Sequence, residues 1–328
     1  MIYRILIISL LFMAQAAYSA TSAVQKSQQS FINEMQQQYG FDPALLEPLL
    51  AQAKVRQSIL DAISRPAEKR LDWGRYRRIF VTDKRTRGGV TFWQENRQAL
   101  QKASEQYGIP AQIMVAIIGV ETRYGKNTGS FPVLDALVTL GFHYPPRSKF
   151  FRSELSHFLR LAREENIDPK TPKGSYAGAM GRPQFIPSSF RHYAIDFDND
   201  GKRDLWHNNH DVIGSVANYF AKHGWQKDQP VTYPVQGVEK RHDALIKAGY
   251  KPSFSTGELR KQGIAIPKKV SDQASASLLE LTQAGQKEHW VGLKNFYVIT
   301  RYNHSALYAM AVYQLSEQIR EQYAKTQP

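Results

Sequence analysis

The chain has 328 residues, with 43 Lys and Arg against 29 Asp and Glu, a formal net charge of +14 at pH 7 and no cysteine. That length can bury an adequate core without covalent staples, and the cysteine count excludes disulfides, thiol nucleophiles and thiol-linked lipid. The basic balance favours an anionic partner: an acidic polysaccharide, an anionic lipid surface or nucleic acid.

Residues 1–20 have the layout of a secretory signal: one charge at Arg4, an apolar run from Ile5 to Met13, then small or polar residues apart from Tyr18. The apolar run is too short to span a bilayer as a helix. Cleavage is expected after Ser19 or after Ala16. The expected destination is a bacterial periplasm or exterior, reached as a soluble chain without a lipid anchor, and nucleic acid drops out as a partner there.

Residues 23–30 are polar and expected to be mobile. In "FDPALLEPLLAQ", Asp42 stands as an N-cap and Pro43 at the first helical position, so a helix starts there. Helical periodicity continues through Ile63 and again from Phe92 to Tyr107. Between them the basic run "RYRRIFVTDKRTR" holds only two aromatics, Tyr76 and Phe80, with no regular base-stacking pattern. It reads equally as a solvated loop or a binding segment.

Pro110 opens a helix carrying Ile113, Met114, Ile117, Ile118 and Val120, with Gly125 just past its end. "FFRSELSHFLRLAREEN" is amphipathic, with Phe151, Leu155, Phe158, Leu159 and Ala162 on one face. "DVIGSVANYFAKHGW" is a further helix closing on Gly224. From Gln229 to about Thr300 come short Val-, Tyr- and Thr-rich segments such as "PVTYPVQGV" and "NFYVITRY", which predict a small antiparallel β subdomain with at most one short helix near Thr256 to Gln262. "SALYAMAVYQLSEQIREQYA" returns to a helix. No internal repeat is visible, and the expected class is mainly α (α+β).

Three motifs could carry chemistry. Glu121 ends the apolar run "IIGVE". Burial among aliphatic groups and a nearby helix C-terminus both disfavour a carboxylate, and a raised pKa is what a general acid needs near neutral pH. A structural ion pair with Arg123 or a distant arginine explains the same residue equally well. In "DFDNDGKRDLW", Asp196, Asp198 and Asp200 occupy positions 1, 3 and 5 of an EF-hand loop, with Gly201 at 6, Lys202 at 7 offering its carbonyl and Asp204 at 9. Position 12 is His207, which a hard calcium ion would not choose, so Asp211 is the expected closing carboxylate. The glycine- and alanine-rich "GSYAGAMGRPQFIPSSF" lets backbone approach a ligand. Its Ser175, Gln184 and Phe185 suit a sugar, and it also reads as a tight structural loop. No phosphate loop, His-x-x-x-His pair or Gly-x-Ser-x-Gly elbow is present.

Taken in order, "GVETRYGKNTG", "PPRSKFFRSEL", "GSYAGAMGRPQFIPSSF", "DFDNDGKRDLW", "DVIGSVANYF" and "ITRYNHSALYAMAV" resemble the lytic murein transglycosylase B family over roughly Pro66 to Leu315. The resemblance implies a lysozyme-like helical core with a flanking α domain and a small β subdomain, acting on peptidoglycan glycan strands. The implied division is a signal at 1–20, an α domain at 24–100 on which residues 311–328 pack, a core at 101–226 plus 300–310 with the calcium loop at 196–211, and a β subdomain at 227–299.

The resemblance also implies Glu121 as the one catalytic acid, and Tyr76, Arg147, Ser175, Gln184, Phe185, Tyr219, Tyr302, Asn303 and Tyr308 as residues lining the glycan cleft. It implies structural calcium held by Asp196, Asp198, Asp200, Lys202 and Asp211, and no organic cofactor. The family often has an arginine pair where this chain has Pro146-Arg147. A monomer is expected, with wall-synthesis proteins as a further class of partner. An ordinary glycosidase needs two carboxylates, and Asp135 reads as readily as a helix cap as a second one. The rivals are a water-using hydrolase of lysozyme type and a non-catalytic wall-binding protein.

Overall fold

A computed structural model describes residues 22–64 and 71–327. The signal expected at 1–20 lies outside the described residues. The protein is mainly helical with small antiparallel sheets, the class expected. Among the described residues no helix is long and apolar enough to cross a membrane.

Helix α1 spans 22–39 and buries Phe31, Ile32 and Met35. The polar stretch 23–30, expected to be mobile, is therefore helical, and Ser27 accepts a hydrogen bond from Arg152 at 3.1 Å. Helix α2 (Pro43–Gln52) starts as its sequence dictates: the Asp42 carboxylate accepts from the Ala44 N–H at 2.8 Å, with Pro43 following. Helix α3 (Gln57–Ser64) follows.

The basic run is not a loop but two helices, α4 (Trp73–Phe80) and α5 (Asp83–Glu95). Asp72 and Thr82 cap them by accepting from the N–H groups of Arg75 and Arg85. Trp73 and Tyr76 are buried one turn apart, and the exposed Arg75 and Arg78 belong to the outer face. Helix α6 (Arg97–Tyr107) stops at Gly108, and α7 (Ala111–Thr122) follows from Pro110. Strand β1 (Phe131–Pro132) leads into α8 (Val133–His143), a 3-10 turn at Pro145–Arg147, α9 (Ser148–Glu164), strand β2 (Lys173–Gly174) and α10 (Pro187–Tyr193).

Helix α11 (Asn209–Lys222) is capped by Asn208. Beyond it lie strand β3 (Thr232–Val235), α12 (Asp243–Lys247), strand β4 (Phe254–Ser255), α13 (Thr256–Lys261), strands β5 (Ser275–Gln283) and β6 (Gln286–Leu293), α14 (Lys294–Thr300) and α15 (Ala306–Ala324). The sheet runs β3-β6-β5-β4, antiparallel throughout, and closes over Leu259, Ile264, Leu278, Val291 and Leu293.

Two expectations fail here. The region holds α12 and α14 as well as α13, and "NFYVITRY" is mostly helix rather than strand. Its β-branched residues are overridden by packing. Phe296, Val298 and Ile299 are all fully buried, and the buried Asn295 amide bonds Gln226 N, Gln226 O and Gln229 O, each at 2.8 Å.

The chain forms two compact units. The first comprises Met1–Arg65, Gly129–Met180 and Phe185–Arg191; the second comprises Pro66–Thr128, Gly181–Gln184 and His192–Pro328. In the first, α8 packs along α9 and on α3. Asp135 of α8 pairs with Arg56 at 2.7 Å and accepts from the Lys54 N–H at 2.9 Å. In the second, α7 is the central helix, packed by α15, α5, α6 and α11.

Candidate active site

Helix α7 is apolar on every side because it is surrounded on every side. Ile113 through Ile118 and Val120 are buried, and Glu121 in the last turn is half-buried. The helix ends in a left-handed turn in which Arg123, Tyr124 and Gly125 have φ of 53°, 63° and 85°. Two non-glycine residues in that region need external support. It comes from Thr122, whose hydroxyl accepts from Gly125 N at 3.0 Å and donates to Arg182 O at 2.9 Å, and from Tyr124, whose phenol donates to Arg85 O at 2.7 Å.

The Tyr124 ring lies against three helical glycines. A Cβ at Gly88 or Gly119 would stand 2.9 Å or 2.5 Å from that side chain, and one at Gly89 would meet its oxygen at 2.8 Å. Arg85, buried beside it, donates to Gly119 O at 2.9 Å and to Ile79 O, and its guanidinium lies 5.0 Å from the Phe80 ring centre. Burial and the neighbouring Arg123 charge lower its pKa. A cation on a carbonyl of the last turn steadies the helix end that carries Glu121.

Tyr308, at the start of α15, donates its hydroxyl to Glu121 Oε1 at 2.5 Å. The Tyr302 ring lies parallel to it, 6.4 Å away, and donates to Pro183 O at 2.6 Å. Tyr219 follows, with ring centres 4.9 Å from Tyr302 and its hydroxyl on Arg301 O at 2.6 Å. Burial first, and then the Glu121 charge, holds the phenols of Tyr302 and Tyr308 well above the usual tyrosine range, and Tyr76 adds to the effect on Tyr308. These phenols are neutral donors across the working range of pH.

Tyr76, Gln184, Tyr219, Tyr302, Asn303 and Tyr308 thus belong with Glu121 to the second unit, whereas Arg147, Ser175 and Phe185 belong to the first. Asn303 is exposed, and Gln184 at φ 53° turns its amide onto Thr128 O and Gly181 O. Tyr76 and Tyr308, expected to line the cleft, are instead buried, and Tyr308 reaches Glu121 through its hydroxyl. In the first unit, Ser175 Oγ accepts from the N–H groups of Ala177 and Ala179, and Phe185 is buried where it bridges to Met180. Arg147 spreads over the Phe150 ring at 4.3 Å. Sequence reasoning passed over Arg85, Tyr124 and Arg182. The glycines inside α5 and α7 were the available signal, because a glycine in a helix interior marks a close approach.

Downstream, Asp196, Asp198, Asp200 and Asp211 each offer a carboxylate oxygen, all within 4.8 Å of one another. Asp211 is fully buried, and burial raises its pKa. Its two oxygens accept from Phe197 N at 2.7 Å and Asp204 N at 2.8 Å. Asp196 accepts from Asp200 N and Gly201 N, and the Lys202 N–H donates to Asp200. Gly201 takes φ 88° for the sharp turn. Asp204 is not among the four; it caps the turn by accepting from Trp206 N and His207 N. Among the described residues none of the four pairs with Lys or Arg. Four converging carboxylates with no protein cation fit a hard cation with oxygen ligands.

The transglycosylase SLT domain matches residues 23–317. The membrane-bound lytic murein transglycosylase B of Escherichia coli is 43% identical over 300 residues, which cover 89% of this chain and 82% of that protein. The crystal structure of soluble lytic transglycosylase SltB1 from Pseudomonas aeruginosa superposes with a TM-score of 0.86 at 49% identity, covering 91% of this chain and 99% of that one. Escherichia coli Slt35 superposes with TM-scores of 0.83 in complex with bulgecin A and 0.82 in complex with calcium, at 42% and 41% identity, each covering 91% of this chain and 94% of that one. On sequence and on fold, the chain belongs to the transglycosylase SLT-domain family.

Proposed function

We propose that this chain is a peptidoglycan lytic transglycosylase that uses Glu121 twice, first as acid and then as base. The observation that carries this reading is the 2.5 Å hydrogen bond from the buried Tyr308 hydroxyl to the Glu121 carboxyl at the end of α7. A single carboxyl held by a neutral donor can change its protonation state without losing its position. Asp135, the other carboxylate considered, is committed to Arg56 and the Lys54 N–H.

In the first step Glu121 gives its proton to the glycosidic oxygen between N-acetylmuramic acid and N-acetylglucosamine, and the C1–O bond breaks. The N-acetyl group of the substrate stabilises the cation that develops at C1. The Glu121 carboxylate then takes the proton of the C6 hydroxyl, whose oxygen bonds C1 to give a 1,6-anhydromuramoyl end. No water enters, so no second carboxylate is needed to activate one. Tyr219, Tyr302, Asn303 and Gln184, in the unit that carries Glu121, are the proposed glycan contacts. Tyr76 supports the floor with Tyr308.

Asp196, Asp198, Asp200 and Asp211, with the Lys202 carbonyl, would hold calcium. When bound, the ion neutralises carboxylates that otherwise repel one another and closes the loop before α11. Slt35 in complex with calcium supports this choice of ion. The site of action is the periplasm, and the enzyme acts as a monomer.

The test is product analysis. Mass spectrometry of digested sacculi is expected to find anhydromuramoyl ends; reducing ends, heavier by one water, would make the enzyme a hydrolase. Binding to sacculi without release of any fragment would make it a wall-binding protein.

A further inference from the structure

Arg182 touches both the acidic loop and the end of the catalytic helix. It lies in the Gly181–Gln184 segment of the second unit. Its backbone N–H donates to Leu205 O at 2.8 Å, its Nε donates to Trp206 O at 3.0 Å, and its Nη1 donates to Asn209 Oδ1. These acceptors lie between Asp204, whose N–H is bonded to Asp211, and Asp211 itself. On its other side the Arg182 carbonyl accepts the Thr122 hydroxyl at 2.9 Å, one residue from Glu121. The following Pro183 carbonyl accepts the Tyr302 hydroxyl.

Two further observations give the guanidinium a geometric role rather than a charge-pairing one. Among the described residues none of its bonds goes to a carboxylate, and every acceptor is a neutral carbonyl or amide oxygen. Gly125, at φ 85°, keeps its space open, since a Cβ there would stand 2.8 Å from Arg182 Nε. Both ends of the contact are therefore built around this side chain.

We propose that Arg182 is a positioning residue that transmits the state of the Asp196–Asp211 loop to Glu121, so that cation binding supports turnover as well as stability. The proposal rests on the reading of the loop as a calcium site and of Glu121 as the acid and base. With the loop filled, Leu205, Trp206 and Asn209 hold Arg182, and Arg182 holds Thr122 and the turn after α7. With the loop empty, repulsion among the four carboxylates loosens the same acceptors. Coupling of this kind is reciprocal: a ligand at Glu121 must tighten calcium by the factor by which calcium tightens that ligand.

Calorimetric titration of calcium into the wild-type protein and into Arg182→Gln, each with and without bulgecin A, tests the linkage without turnover. Wild type is expected to bind calcium about fivefold or more tightly with bulgecin A present, and Arg182→Gln to lose that gain. Equal linkage in both proteins, or none in wild type, overturns the proposal.

A kinetic arm uses soluble glycan strands at a temperature where circular dichroism shows both proteins folded. Chelation is expected to lower wild-type kcat with KM unchanged, and to have no effect on an already slow Arg182→Gln. A wild-type kcat indifferent to calcium overturns it. If the glutamine variant does not fold, Arg182→Lys is read in both arms with intermediate losses expected, and wild-type values would overturn the proposal. A wild type inactive in saturating calcium would instead sink the functional reading, leaving the calorimetric arm to decide the linkage.

Discussion

Around Glu121 the protein gathers phenols; around Asp211 it gathers carboxylates. Both sites lie in the second unit, and both set a half-buried or buried acid at a helix end. Their surroundings impose different chemistry. Tyr308 and its neighbours are neutral and keep their protons, so the Glu121 carboxyl can gain or lose its own without leaving a charge unanswered. Four aspartates within 4.8 Å have no such freedom, because one charge cannot relax while the others stay. The first arrangement fits a group that handles a proton, and the second fits a bound cation.

The comparison breaks most visibly at Glu121. Replacing it with Gln keeps the shape and removes the proton, and kcat is expected to fall on the order of 10³-fold with fold and calcium affinity unchanged. A fully active variant would end the proton-handling account. At the other site, calcium at a hundred times its Kd is expected to stabilise the wild-type protein by about 2.7 kcal/mol. Asp211→Asn should remove most of that gain, read as the difference between melting temperatures with calcium and with chelator. A variant as responsive as wild type would exclude Asp211 as a ligand.

Tyr308→Phe sharpens the contrast further. Loss of a hydrogen bond to a group that is charged for part of the cycle costs roughly 1.5–3 kcal/mol, which predicts a kcat decrease of about tenfold to a hundredfold. KM should change little, because the hydroxyl faces Glu121 and not the solvent. Wild-type kcat in this variant would reduce the contact to packing.

The smallest expected effect concerns alkaline pH. Tyr302 and Tyr308 are raised well above the ordinary value of 10.0, and Tyr313 is raised to about 12, in each case chiefly by burial. A phenol whose folded pKa exceeds its unfolded one contributes stability that is complete below the unfolded value and lost as pH rises towards the folded one. Melting temperature should therefore be insensitive to these groups at neutral pH and decline above about pH 10. Phenolate absorbance should rise with unfolding. Titration of all tyrosines in the folded state, without loss of stability, would contradict the buried arrangement.

The two sites also differ in how far they could be read from the chain. The acidic loop is a local object: the spacing of Asp196, Asp198, Asp200 and Gly201 is itself the turn, and Asp211 stands where the next helix must begin. The surroundings of Glu121 are not local. Tyr308 lies near the other end of the chain, and only the family resemblance, not the periodicity of α7, points to it. Helices α4 and α5 were hidden because their outer faces carry so many arginines that the buried spacing of Trp73 and Tyr76 was outvoted. Helix α14 was misread for the opposite reason: Val298 and Ile299 favour strands intrinsically, and packing around the buried Asn295 decided otherwise. Arg85 and Arg182 went unmarked in the sequence, since nothing in a one-dimensional pattern marks an arginine whose acceptors are neutral carbonyl and amide oxygens.

The seat of Tyr124 on Gly88, Gly89 and Gly119 has a historical consequence. Any lineage that loses the ring gains room at Gly88 and Gly119, while Ile319 still bars Gly89, and drift can fill those two with alanine or serine because helices favour almost anything over glycine. Once one is filled, a returning tyrosine would collide before it could reach Arg85. The arrangement is easier to leave than to re-enter, so the ring and the two glycines it alone keeps bare are inherited together or not at all.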